Sequence, residues 1–309
     1  MPEWVGICIR FAQFASQMLL VGIAAFPLYA LRSNERADAT VNLALGALLP
    51  ILAAIALCAT VGGFIVMSAN MMGVTLAEID GTMLLSMVSE TDAGRAALGR
   101  LAALVTALLV LAWRTDRTGF RLCAVAVLGA VSLSTLVWSG HAAATEGVAG
   151  TVHRVSDTVH MLSAAIWLGA ILCFLWLLRS SDGAASSGRP AIAARALAQF
   201  GRIGTACVAL IIATGIVNGQ MIVGWNGIGD SLAGPYGQLL FAKLAAFVAM
   251  LALAALNRWR LTPALANARQ TGEPRAELMA MRRSVVVEAA TAAAIIALVA
   301  WLGTLDPLA

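Results

Sequence analysis

The chain of 309 residues alternates between long apolar stretches and short polar segments. Each apolar stretch is longer than the roughly 18 residues that a helix needs to cross the hydrocarbon core of a bilayer. The predicted helices cover about residues 4–31, 41–72, 91–113, 120–139, 151–178, 191–223, 236–258 and 284–304. This pattern predicts an all-α, polytopic membrane helix bundle with about eight transmembrane helices.

Residues 73–90 follow a different pattern from the predicted spans. Apolar residues recur there at helical spacing and acidic residues fall off that face; the two sets are Leu76, Ile79, Met83, Leu84 and Met87, and Glu78, Asp80 and Glu90. Such a pattern is typical of an amphipathic helix that lies in the membrane interface. We therefore predict an amphipathic segment on the outer membrane surface at about residues 73–90.

The loop charges alternate along the chain. Arginines fill the loops after the first, third, fifth and seventh helices, whereas acidic residues dominate the other loops. The positive-inside rule places the arginine-rich loops in the cytoplasm, and both termini are then periplasmic. We refer to these two predicted faces as inner and outer. The expected location is a membrane that the chain crosses several times; the resemblance described below implies the bacterial inner membrane.

Composition limits the classes of function. Hydrophobic residues make up 61% of the chain and charged residues only 12%, against about a quarter charged in soluble domains. One integral membrane domain, residues 1–309, is expected, in contact with lipid. The arginines act as topology signals, so no nucleic-acid partner is expected. The oligomeric state is left open.

All three histidines of the chain, His141, His153 and His160, lie within twenty residues of one another. His153, Asp157 and His160 are spaced i, i+4 and i+7, which places them on one stripe of the fifth predicted helix. The two imidazoles on that helix are then roughly 10 Å apart along its axis. Either the start of the helix is irregular and they share one ion, or they are successive stations leading inward. His141 approaches from the preceding helix.

Imidazole binds copper, zinc, iron and nickel, and thioether sulfur selects Cu(I). Met161 and Met71 are predicted at the same outer level as the histidines, and the five scattered cysteines contain no Cys-x-x-Cys pair. This donor set favours copper, with Asp157 as a direct ligand or an orienting group. Two histidines can also hold a haem, so a b-type haem protein is the alternative.

Four polar residues fall in the last two predicted spans. Lys243 should face the bundle interior, since a lysine in lipid is costly, and Asp157 is a candidate partner. Glu288, Arg258 and Asn257 are predicted at one level near the inner face. Either Arg258 and Glu288 form an ion pair between helices, or this group is the inner exit of an ion path.

Several motifs together resemble the copper resistance protein D family over about residues 138–305. They are Ser139-Gly140-His141-Ala142, Asp157-x-x-His160, Trp167-Leu168-Gly169, the span Phe200–Gly215, Tyr236–Lys243, Asn257–Leu265 and Arg282-Arg283-Ser284-Val285 with Glu288. Residues 1–130 resemble the family in layout only.

The resemblance implies an inner-membrane protein of eight spans that accepts copper from a separate periplasmic CopC-like carrier and moves it inward. No phosphate-binding glycine loop occurs, so transport driven by ATP hydrolysis in this chain is not expected. A transporter is favoured over an enzyme. The alternative is an oxidoreductase with haem b, acting as a cupric reductase or electron-transfer component, and a third reading is a sensor or assembly partner.

Overall fold

A computed structural model describes residues 3–37, 39–113, 115, 117–140, 142, 145–179, 189–224, 234–271 and 275–307. Eight helices in these residues are long and apolar enough to cross a membrane. They are α1 (Glu3–Ala30), α3 (Ala39–Met72), α5 (Asp92–Ala112), α6 (Thr118–Ser134), α7 (Gly147–Leu177), α8 (Arg189–Ile222), α9 (Pro235–Leu256) and α11 (Arg275–Leu302). The predicted all-α membrane fold is confirmed.

Shorter elements connect the spans: α2 (Ser33–Ala37), α4 (Gly81–Glu90), a 3₁₀ turn (Thr135–Ser139), a π turn (Asn257–Leu261) and α10 (Thr262–Thr271). Most helix ends agree with the prediction within a few residues. The exception is the predicted inner loop before the last span. There the π turn and α10 continue from α9, and α11 begins at Arg275 instead of Ser284.

The amphipathic segment at 73–90 is helical only in its second half. Gly73 has a φ of +68° and ends α3. Glu78 then accepts a 2.8 Å hydrogen bond from the backbone N–H of Thr75, which forms a turn and lowers the pKa of Glu78. Asp80 caps the first turn of α4 by accepting from the N–H of Met83. These local bonds shorten the predicted helix to Gly81–Glu90, which packs against α5 and α3.

Helices α1 and α7 form the centre of the bundle. α1 contacts α3, α6, α7 and α11, and α7 contacts α1, α6, α8 and α11. The two helices cross at Gly22 and Gly169, where their backbones touch: a Cβ added at Gly169 would lie 2.2 Å from the carbonyl carbon of Gly22. Only glycine permits this approach. The crossing fixes α7, and the histidines on it, against the core.

Helix α9 occupies the edge of the bundle and packs mainly on α11. Its link to the centre is an aromatic contact between Trp167 of α7 and Phe247, with ring centroids 6.3 Å apart. Lys243 lies one turn before Phe247, so both residues are on the same side of α9. The aromatic contact therefore turns the lysine side of α9 towards α7.

Candidate metal site

A row of polar side chains on α7 faces a matching row on α8. The Ser156 hydroxyl donates to the backbone carbonyl of Thr214 over 3.2 Å. The His160 Nδ1 lies 3.0 Å from the Thr214 hydroxyl, and the Asn218 amide donates to Asp157 over 3.2 Å. We call these five residues the α7–α8 seam. Asp157 and His160 of the predicted stripe therefore face Asn218 and Thr214, which are four residues apart on α8.

The hydrogen bonds of Thr214 determine which nitrogen of His160 carries the proton. The Thr214 hydroxyl donates to the carbonyl of Leu210 over 2.5 Å. A hydroxyl has one proton, so towards His160 it acts as an acceptor, and Nδ1 of His160 must be the N–H donor. In the neutral ring, Nε2 then carries the free lone pair, as a metal-ligating histidine requires.

Glycine at position 215 leaves room for this ring. A Cβ added there would lie 3.7 Å from Cε1 of His160, in van der Waals contact with the imidazole. A larger side chain would occupy the space beside the ring. Gly215 therefore sets the width of the seam at His160.

Asp157 lies between an amide and a lysine. Its Oδ1 accepts from Asn218, whose own Oδ1 is buried without a hydrogen-bond partner. Lys243 of α9 interacts electrostatically with Asp157, although the two form no direct ion pair. The carboxylate is thus within the field of the lysine without being in contact with it. Asp157 as the carboxylate partner of Lys243 stays a prediction.

His153 lies outside the seam. It is 1% exposed, and its Nδ1 is 3.1 Å from the hydroxyl of Thr145, in the segment before α7. His141 lies outside the described residues. Within the part of the chain that the structure describes, no three His, Cys, Asp or Glu side chains come close enough to hold a metal ion. Whether the three histidines share one ion stays a prediction.

The two methionines proposed as thioether ligands have different surroundings. Met161 is buried in an apolar cluster with Val21, Leu133 and Val137, on the α1 and α6 side of α7. His160, its neighbour in sequence, faces α8 instead. Met71, at the outer end of α3, is 59% exposed. Met161 therefore occupies a packing position, and Met71 is open to a ligand arriving from outside the bundle.

The residues predicted at the inner level are paired differently than expected. Arg258 donates to the carbonyl of Gly201 over 2.6 Å and to the hydroxyl of Thr205, both on α8. Glu288 is hydrogen-bonded by the side chain of Asn257. The predicted ion pair between Arg258 and Glu288 is wrong, because Arg258 is bonded to α8 while Glu288 is bonded by Asn257.

The structure also adds a buried cation that sequence reasoning missed. Arg100 of α5 is 3% exposed and donates to the hydroxyl and carbonyl of Thr135 and to the hydroxyl of Ser139. Thr135 and Ser139 both belong to the 3₁₀ turn, which precedes His141 in the sequence. The sequence did contain a signal for this contact. Arg100 lies about two turns inside an apolar helix, and charged residues within membrane spans usually face polar partners.

Comparisons with known proteins cover nearly the whole chain. Residues 1–151 match the family model described as copper resistance protein D-like, N-terminal domain, and residues 194–302 match the model described as copper resistance protein D. The likeness thus extends over residues 1–130, where the motifs indicated a similar layout only. No solved structure matches the chain.

Two curated relatives agree with the family models. Copper resistance protein D of Pseudomonas syringae pv. tomato is 36% identical over 309 residues, which cover 99% of this chain and 98% of that protein. Inner membrane protein YebZ of Escherichia coli (strain K12) is 28% identical over 312 residues, which cover 99% and 100% of the two chains.

Proposed function

This chain belongs to the copper resistance protein D family and is a multi-pass protein of the inner membrane, and from that premise we propose that it binds copper ions at the α7–α8 seam and moves them inward. The observation that carries the proposal is the hydrogen bond between His160 and Thr214, which makes Nε2 the unprotonated nitrogen of a neutral ring. A neutral imidazole with one orienting partner is the form in which histidine binds a metal.

The donors of the seam suit a cation in transit. His160 supplies a nitrogen, Asp157 a carboxylate, and Asn218 an amide oxygen without a partner. Imidazole binds copper well, whereas the oxygens bind it more weakly. A site with one strong donor and weak oxygen donors releases its ion more readily than a closed site of three histidines. Such release is what movement across a membrane needs.

Lys243 provides a means of controlling occupancy. In the absence of a metal ion, its charge balances that of Asp157 from a short distance. A copper ion bound at Asp157 would repel the ammonium group and drive it from the seam. We propose that this exchange of cations makes binding at the seam and movement of α9 interdependent.

The outer residues would deliver copper to the seam. His153 lies two helical turns outward from His160, and His141 precedes it at the outer face. We propose these two histidines as successive stations, with Met71 as an outer contact for reduced copper. A periplasmic CopC-like carrier would supply the ion to these outer residues.

Copper titration of the purified protein tests the assignment. We expect His160→Ala to abolish binding at the seam and His141→Ala to abolish binding at the outer station. Thr214→Val keeps the shape of the site but removes the orienting acceptor, so it should weaken binding by about 10–100-fold. Met161→Leu is the matched control and should bind like the wild type, because Met161 packs in the apolar cluster. Unchanged copper stoichiometry in both histidine variants would refute the site.

An absorption spectrum before and after reduction with dithionite tests the haem alternative. A haem with His160 as one axial ligand would need His141 or His153 as the other, because α8, α9 and α11 contain no histidine. A spectrum without a Soret band is expected. A Soret band with sharpened bands after reduction would replace the copper proposal with an electron-transfer protein.

A further inference from the structure

A second polar group lies in the inner half of the bundle, between α11 and the π turn. Glu288 is 5% exposed, Asn257 is 7% exposed and Ser284 is 8% exposed. Ser284 and Glu288 are one turn apart on the same side of α11. We call these three residues the inner polar group. A carboxyl buried in a membrane span is costly as an anion unless a cation or a proton accompanies it.

Neither the π turn nor α11 supplies a cation to Glu288. Arg258 is held by α8 through Gly201 and Thr205, and Arg260 is exposed. Arg282 and Arg283 of α11 are exposed as well. In the described part of the chain, Glu288 takes part in no ion pair.

Among the described side chains of α1, α7 and α9, which also pack on α11, no cation lies at this level either. Lys243 of α9 is fourteen residues before Asn257, roughly 21 Å outward along the helix. Arg10 of α1 lies against Gly303, beyond the outer end of α11. Tyr29 of α1 and Cys173 of α7 are neutral side chains at ordinary pH. The acidic and histidine residues of α7 belong to the outer half.

The amide oxygen of Asn257, beside Glu288, lacks a hydrogen-bond donor among the described residues. Asn257 donates to Glu288, while its own Oδ1 is buried without a partner, and so is the hydroxyl oxygen of Ser284. An ionised carboxylate only accepts hydrogen bonds, but a protonated one also donates. A carboxylic acid and a carboxamide are complementary, since each offers one donor and one acceptor. One proton would therefore remove the buried charge and supply the missing donor.

We propose that Glu288 is a proton-binding site, whose carboxyl takes one proton from the inner face and pairs with the amide of Asn257, and that its occupancy makes copper movement depend on the proton gradient. The second part rests on the proposed function, and the first part does not. Asn257 lies in the π turn and faces α11, whereas Arg258 faces α8; π turns are often found at functional sites.

Infrared difference spectroscopy of the full-length purified protein tests the first part. We expect the band of a protonated buried carboxyl, lost in Glu288→Gln and shifted in frequency in Asn257→Leu, which removes the hydrogen-bonding amide. Glu90→Gln, an exposed carboxyl on α4, is the matched control and should leave the band unchanged. If Glu288→Gln retains the full band, the proton site is refuted. If Na⁺ abolishes the band at constant pH, the site binds a metal cation and the proton assignment is overturned.

Copper uptake into proteoliposomes with an imposed pH gradient tests the second part. We expect the gradient to alter uptake by the wild type and not by Glu288→Gln, with copper binding to the purified variant unchanged. Uptake by Glu288→Gln that still responds like the wild type would overturn the coupling. His160→Ala separates the two proposals, because it should lose copper binding at the seam and keep the carboxyl band.

Discussion

The crossing of α1 and α7 predicts that one methyl group decides the stability of the bundle. In Gly169→Ala the new Cβ would lie 2.2 Å from the carbonyl carbon of Gly22 and 2.3 Å from its Cα. The shorter distance is 1.2 Å less than the 3.4 Å at which ordinary van der Waals contact begins. Because the opposing atoms are backbone, no rotamer change relieves the clash, and the two helices must separate.

The expected free-energy change follows from two opposing effects. Overpacking of a buried site costs typically 1–3 kcal/mol, and a clash between backbones belongs at the upper end, at about 3 kcal/mol. Replacing glycine by alanine within a helix contributes about 1 kcal/mol in the opposite direction. The net destabilisation of Gly169→Ala is therefore about 2 kcal/mol. Gly22→Ala should behave in the same way, since its Cβ would lie 2.0 Å from the carbonyl oxygen of Ala165.

Gly99→Ala on α5 is the matched control. No atom lies within 4 Å of a Cβ built at Gly99, so only the helix-forming contribution of about 1 kcal/mol remains. Thermal unfolding in detergent should therefore lower the apparent Tm of Gly169→Ala and leave that of Gly99→Ala equal to or above the wild type. A Gly169→Ala protein as stable as Gly99→Ala would refute the close crossing.

The remaining predictions concern polar contacts. Replacing Arg100 by Met leaves the carbonyl it binds in the 3₁₀ turn without that donor, and should destabilise the protein by about 1–3 kcal/mol and increase amide exchange in the turn. In a double-mutant cycle, Arg258→Ala and Glu288→Gln should be additive within about 0.5 kcal/mol, because the two side chains have different partners. The Met83 N–H lowers the pKa of Asp80. The cap therefore stabilises α4 fully above the ordinary Asp pKa of 3.8, and this stabilisation is lost as the pH falls through the lowered pKa of Asp80. Amide exchange in α4 should rise over that pH range, and Asp80→Ala should remove the pH dependence.

Each of these predictions has an outcome that contradicts it. Unchanged exchange in the 3₁₀ turn of Arg100→Met would show that the arginine does not hold that turn. A coupling energy above about 1 kcal/mol in the cycle would restore the ion pair. Amide exchange in α4 that still changes with pH in Asp80→Ala would assign the pH dependence to another group.

The sequence predicted the spans and one half of the site. Apolar length and arginine distribution depend only on position along the chain, so the eight helices followed directly. The stripe of Asp157 and His160 followed from helical spacing. Thr214 and Asn218 did not, because their role depends on how α8 is rotated about its axis. Two polar residues four apart, in the otherwise apolar stretch of α8 from Cys207 to Gly219, were the available signal.

The error at Arg258 has the same origin. Arg258 and Glu288 were matched by depth in the membrane, and their depth agrees. An ion pair also requires the two side chains to point at each other. Asn257 and Arg258 lie in a π turn, where the regular 3.6-residue spacing of an α-helix does not hold. The depth of a residue in the membrane can be predicted from the sequence. The direction in which its side chain points cannot be predicted once the regular spacing of the helix is interrupted.

The central position of α1 has a consequence for the biogenesis of the protein. The ribosome makes α1 before the other seven described spans, yet its neighbours include α7 and α11, which are made much later. Gln17 is fully buried near the middle of α1, and its side-chain oxygen accepts from Ser132 of α6. That bond can form only after α6, the fourth of the eight described spans, has been made. The packing of α1 is therefore completed late in synthesis, when α11 follows.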